Sequence, residues 1–71
     1  MSRTGAARAA AGLAAAVERD PGHLAARTDL ARLLIAAGRA GEAAAQLEQV
    51  LKARPRHRQA RQLLDHLGGA A

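Results

Sequence analysis

The sequence predicts an all-α fold in which antiparallel helical hairpins stack as a short solenoid of about four helices. Apolar residues recur at three- and four-residue steps along most of the chain, which is the spacing of one helix face. The two prolines, Pro21 and Pro55, interrupt these periodic segments 34 residues apart. The segments that contain them repeat each other, which predicts stacked units of the same kind.

The first helix is predicted over residues 5–19. Its expected apolar side consists of Ala9, Leu13, Ala16 and Val17. Pro21 ends it, because proline disfavours helical geometry in the preceding residue and has no N–H to donate. Residues 1–4 are expected to form a tail in which Thr4 or Ser2 caps the helix.

Two further helices are predicted in the middle of the chain, over residues 24–37 and 41–53. Their apolar faces are formed by Leu30, Leu33, Leu34 and Ala37 in one helix, and by Ala43, Leu47, Val50 and Leu51 in the other. Gly38 supplies the left-handed residue that favours a helix C-terminus, and Glu42 places an acid in the next first turn. Because the link is short, the two helices must run antiparallel.

A fourth helix is predicted over residues 58–67, after the second proline turn. Its apolar side consists of Ala60, Leu63, Leu64 and Leu67. The glycine-containing residues 68–71 are expected to form a tail. Residues 1–71 together are predicted to be one small domain.

The two proline segments superimpose when they are shifted by 34 residues. The identical pairs are Pro21 and Pro55, His23 and His57, Ala26 and Ala60, Arg27 and Arg61, Leu30 and Leu64, and Leu33 and Leu67. Paired proline and histidine carry the most weight, because both are rare in this chain. We interpret His23 and His57 as helix-start residues of equivalent loops.

A 34-residue repeat of two antiparallel helices closed by a proline resembles the tetratricopeptide repeat (TPR) family. Residues 24–57 resemble one full motif, with a half motif on each side. The matching positions are Leu30, Ala31, Gly38, Ala43, Leu47 and Pro55. The chain departs at Arg27, where the family often has tryptophan, and the large aromatic sites are filled by Leu34, Ala40 and Leu47. Small side chains imply close packing and modest stability.

The resemblance implies a protein–protein interaction module or scaffold with a concave groove, lined mainly by the first helices of successive motifs. The expected lining residues are Ala25, Thr28, Arg32, Ile35, Ala36, Arg56, His57, Gln59, Gln62 and His66. The arginines and histidines among them would make the groove cationic. It would therefore suit an acidic peptide or a terminal carboxylate.

One full motif with two halves leaves helix faces without a partner, whereas about three such repeats are expected for independent stability. The apolar residues expected to be exposed are Leu13, Val17, Leu63 and Leu67. They predict a homo-oligomer, or docking onto a larger protein. The alternative is that the last helix caps the solenoid while the first helix frays.

A basic cluster is the second candidate site. It consists of Lys52, Arg54, Arg56, Arg58 and Arg61. Such a cluster could contact several phosphates, so nucleic acid or another polyanion is the alternative partner. The chain contains no aromatic residue to stack on bases, and charges in a loop are commonly just solvated. A solvated surface, an acidic protein partner and nucleic acid all stay open.

Composition narrows the kinds of partner and the cellular locations that are expected for the chain. The net charge of +5 favours anionic partners. The chain has no cysteine, hence no disulfide or thiolate metal site, which fits a reducing compartment. No apolar run approaches the roughly 20 residues that cross a bilayer. We expect a cytoplasmic protein without a membrane span, although the basic, acid-free start also allows a mitochondrial-type presequence.

No enzymatic activity, metal or cofactor is predicted. His23, His57 and His66 are not spaced at i,i+4, and no cysteine or glutamate pair completes a metal site. The sequence also lacks a glycine-rich phosphate loop and a nucleophile beside a base.

Overall fold

The computed structural model describes residues 3–69, and all regular secondary structure in that range is helical. The helices are α1 (Arg3–Arg19), α2 (Leu24–Ala36), α3 (Ala40–Ala53) and α4 (Arg58–Gly69). The predicted all-α fold of four helices is confirmed. None of the helices in the described range has the length and apolar character that crossing a bilayer requires.

The helices form a flat stack. Each packs against the next along the chain, and α2 also touches α4. The parallel helices α2 and α4 therefore form one side of a body that measures 31 × 31 × 15 Å, while α1 and α3 lie on the other side. Among the described helices, the backbones of α1 and α3 do not approach each other as closely as those of the other neighbouring helices. The arrangement is that of a short helical solenoid.

The helix ends differ from the predicted ends by one or two residues. Because α1 begins at Arg3, Thr4 lies inside its first turn and is not its cap; Ser2 lies outside the described residues. At the other end, α4 continues to Gly69, so the predicted tail is shorter. Glycine in a helix costs only about 1 kcal/mol, and no proline stops either extension.

The core is built mainly from alanine and leucine. Its buried apolar residues are Ala6, Ala10, Val17, Ala26, Leu30, Ala31, Leu34, Ala43, Leu47, Val50 and Ala60. More than half of them are alanines, so the helices can approach closely. Each such side chain buries little area, and burial stabilises by only about 25 cal/mol per Å².

The buried side of α1 is rotated from the predicted one. Ala6 and Ala10 are buried together with Val17, whereas Ala9 and Ala16 are exposed. In an alanine-rich helix, several faces satisfy the apolar spacing of a helix. The periodicity of α1 therefore could not identify the covered face.

The two proline turns contain the same hydrogen bonds. The Ala26 N–H donates to Nδ1 of His23 at 3.1 Å, and the Ala60 N–H donates to Nδ1 of His57 at 3.1 Å. The backbone N–H of each histidine donates to the carbonyl oxygen three residues earlier, at 3.0 Å in both turns. A histidine side chain thus caps both α2 and α4, in place of the more usual hydroxyl or carboxylate.

The turn between α2 and α3 depends on Gly38, whose φ is 79°. The Arg39 N–H donates to the Leu34 carbonyl at 2.8 Å and the Gly38 N–H to the Ile35 carbonyl at 3.0 Å, which closes α2 as a Schellman motif. A β-carbon at position 38 would also lie 3.1 Å from the guanidinium carbon of Arg3. Glycine is required here by the backbone conformation, whereas the exposed Arg3 side chain can move aside.

Gly38→Ala should lower the free energy of unfolding by about 1–2 kcal/mol, because alanine is strained in the left-handed region. Gly41→Ala is the matched control, since a β-carbon at this position in α3 meets nothing within 4 Å. It should be neutral or stabilise by up to about 1 kcal/mol. Urea unfolding followed by circular dichroism measures both, and equal losses would contradict the role of Gly38.

Candidate functional site

The side of the molecule formed by α2 and α4 carries most of the predicted groove residues; we call it the α2–α4 face. Its exposed members are Ala25, Arg32, Ala36, Gln59, Gln62 and His66, and Ile35 is half-buried. Equivalent positions of the repeat supply them in pairs, such as Arg32 and His66. Because α2 and α4 run parallel and touch, these pairs lie side by side on one surface.

Thr28 is not available on this surface. It is 1% exposed, and its Oγ1 donates to the Leu24 carbonyl oxygen at 2.9 Å. Threonine in a helix commonly bonds to the preceding turn in this way. The prediction that Thr28 lines the groove is therefore wrong, and its side chain belongs to the buried interior.

Arg32 has one weak partner. Its Nη1 lies 3.9 Å from Oδ1 of Asp29, and the two side chains are 50% and 58% exposed. An exposed pair three residues apart on a helix stabilises by only a few tenths of a kcal/mol. Arg32 can therefore exchange Asp29 for an acidic group of a partner.

His57 is half-buried, and its ring already serves the fold. Its Nδ1 accepts the Ala60 N–H at 3.1 Å. His57 therefore acts as the cap of α4, and its contribution to the groove stays a prediction. Positive charge near this turn comes from arginine.

The N-terminal ends of α2 and α4 lie next to each other. A crevice between the two proline turns is lined by Gly22, His23, Leu24, Ala25, Arg54 and His57. An open depression of about 730 Å³ follows the second turn and is lined by residues 53–59. Both contain Arg54, so the second turn forms the basic end of the α2–α4 face. The positive ends of the two helix dipoles have the same sign as these arginines.

All five residues of the basic cluster are exposed. The ion pairs in the described part of the chain are Arg32 with Asp29 and Arg39 with Glu42, so none involves the cluster. The structure therefore leaves Lys52, Arg54, Arg56, Arg58 and Arg61 unpaired and accessible.

The predicted exposed apolar residues do not form an open patch. Val17 is only 7% exposed, so the expectation that it is exposed is wrong. Leu13, Leu63 and Leu67 are half-buried and pack against the core.

The structure assigns a role to Arg27 that the sequence analysis missed. Its Nε donates to the Pro21 carbonyl oxygen at 2.7 Å, and its Nη1 donates to Oε1 of Gln46 at 2.9 Å. Arg27 thus joins the first proline turn to α2 and α3. The sequence feature that could have indicated this role is the identity of Arg27 with Arg61, 34 residues later.

Comparison with known proteins gives one match. A family model described as tetratricopeptide repeat matches residues 5–67, a range that reaches into all four helices. No curated protein and no solved structure matches the chain.

His57→Ala should lower the free energy of unfolding by about 0.5–2 kcal/mol, because the Ala60 N–H loses its acceptor. His57→Asn keeps a side-chain acceptor and should retain most of the stability. His66→Ala removes an exposed histidine from the same helix and should change stability by less than about 0.5 kcal/mol. Thermal unfolding compares the three, and an equal loss for His66→Ala would contradict the capping role.

Proposed function

We propose that this chain, which belongs to the tetratricopeptide repeat family, binds an acidic segment of a partner protein on its α2–α4 face. The family supports the class of function, since its repeats are typically non-catalytic modules that bind proteins. The observation that carries the acidic character is the presence of two exposed, unpaired arginines, Arg54 and Arg56, at one end of that face.

The side chains suit such a ligand in two zones. At the basic end, the guanidinium groups of Arg54 and Arg56 can donate paired hydrogen bonds to carboxylates. Further along the face, Gln59 and Gln62 offer amide groups that both donate and accept. An acidic residue or a terminal carboxylate would therefore bind near the proline turns, with the following segment lying along α2 and α4.

The net charge of +5 should act mainly on the rate of association. Attraction between exposed charges is screened within about 8 Å at physiological ionic strength. A face of only two helices offers a small contact area, which is typical of transient complexes. The proposed complex is accordingly weak, fast to form and sensitive to salt.

Nucleic acid is a second candidate, favoured by the unpaired state of the basic cluster. Binding would rest on phosphate contacts alone, because the chain has no aromatic residue for stacking on bases. Retardation of a single-stranded or duplex oligonucleotide at physiological salt would favour this candidate over an acidic protein segment.

Self-association is supported by the outer side of α1, where Ala9 and Ala16 are exposed beside the half-buried Leu13. Sedimentation equilibrium at several concentrations tests it, and a monomer throughout would remove it. Cytoplasmic localisation stays a prediction from the cysteine-free composition.

Arg56→Glu should weaken the binding of a fluorescent glutamate-rich peptide by about fivefold or more, because it replaces attraction by repulsion at the basic end. Arg8→Glu is the matched control: it changes the net charge equally, but at an exposed position on α1. Fluorescence anisotropy at low and physiological salt measures both. Equal losses would mean that net charge alone attracts the peptide, and an unchanged affinity for Arg56→Glu would contradict the proposed face.

A further inference from the structure

One face of α4 is equivalent, through the 34-residue repeat, to the face with which α2 contacts α3. On α2 this face consists of Arg27, Leu30, Ala31 and Leu34, which share one side of the helix through their i, i+3, i+4 and i+7 spacing. The hydrogen bond from Arg27 to Gln46 shows that this side meets α3. One repeat later, the same positions are Arg61, Leu64, Asp65 and Gly68, which we call the α4 outer face.

The face is covered on α2 and open on α4. On α2, Leu30, Ala31 and Leu34 are 3%, 0% and 4% exposed. On α4, Leu64 is only half-buried, and the other members of the outer face are exposed. No helix in the described part of the chain lies where α3 lies against α2.

The change from Ala31 to Asp65 alters which helix can cover this face. Arg27 donates a hydrogen bond to Gln46, so these two positions face each other. Because α2 and α3 run antiparallel, Ala31, one turn after Arg27, lies opposite the residue one turn before Gln46. That position is Ala43, and both alanines are 0% exposed. A helix packed on α4 in the same way would bury the Asp65 carboxylate, which is unfavourable unless the helix brings a cation to that point.

We propose that the α4 outer face binds an amphipathic helix of another protein, antiparallel to α4, that carries Lys or Arg three residues before Gln or Glu. The Gln or Glu accepts from Arg61 as Gln46 accepts from Arg27. The basic residue pairs with Asp65, and apolar residues at the positions of Leu47 and Val50 cover Leu64. This surface shares Arg61 with the basic cluster but includes none of the residues that define the α2–α4 face, and it does not depend on the ligand proposed there.

The α1 helix of a second copy does not fit the same surface. The repeat would place α1 of that copy against α4, with Gly12 at the position of Gln46 and Ala9 at the position of Ala43. Arg61 would then have no acceptor, and Asp65 would be buried without a cation. The α1 helix of a second copy is therefore not the proposed occupant.

The test uses two peptides of residues 40–53, one with Ala43→Lys and one with Ala43→Glu, titrated into the isotope-labelled full chain. The lysine peptide should bind about five- to tenfold more tightly and shift the amide resonances of residues 61–68. Because the chain has a net charge of +5, long-range attraction would favour the glutamate peptide instead. Asp65→Lys should reverse the order, and Asp29→Lys, at an exposed position on α2, should leave it unchanged.

Equal affinities of the two peptides, or resonance shifts confined to α1 or the α2–α4 face, would overturn the proposal. A dimer in sedimentation experiments that is lost in Asp65→Lys would overturn it as well, because the second copy would then cover the face. Far-ultraviolet circular dichroism of both variants verifies that the exposed substitutions leave the helices intact.

Discussion

The structure depends on two proline turns that are each closed by a histidine cap. In both turns a proline ends one helix, and two residues later an imidazole nitrogen accepts the N–H of the third residue of the next helix. Because the turns are equivalent, they send α2 and α4 off in the same direction, and the two helices touch. The parallel pair, and hence the surface proposed to bind a partner, follows from this repeated local geometry.

The same constraint explains where charge collects. Equivalent turns lie side by side, so residues of the second turn meet residues of the first in one crevice, with Arg54 between two capped helix ends. The first turn has Asp20 and Gly22 where the second has Arg54 and Arg56. Positive side chains therefore concentrate at one end of the α2–α4 face, where the helix dipoles already favour anions.

Much of the fold could be predicted from the sequence, because the prolines and Gly38 mark the helix ends locally. The 34-residue repeat indicates that the two proline turns are equivalent. The wrong predictions concern positions where several arrangements satisfy the same helical spacing. Alanine fills several sides of α1, so periodicity did not distinguish the buried Ala10 from the exposed Ala9. In the candidate site, the position of Arg32 could be predicted from helical spacing. The burial of Thr28 and the cap formed by His57 could not, because they depend on which neighbour each side chain reaches.

The repeat is most informative where it is inexact. Some positions keep the same residue in both copies, such as Arg27 and Arg61. On α2, this arginine donates a hydrogen bond to Gln46 of α3 and so links the two helices. Where a buried alanine in one copy becomes an exposed aspartate in the other, packing in the interior no longer sets the residue, because Asp65 is exposed. A carboxylate there discourages open-ended stacking of identical chains, since burying it without a cation is costly. The same carboxylate would accept a helix that supplies the cation, so one substitution both limits self-assembly and selects a partner.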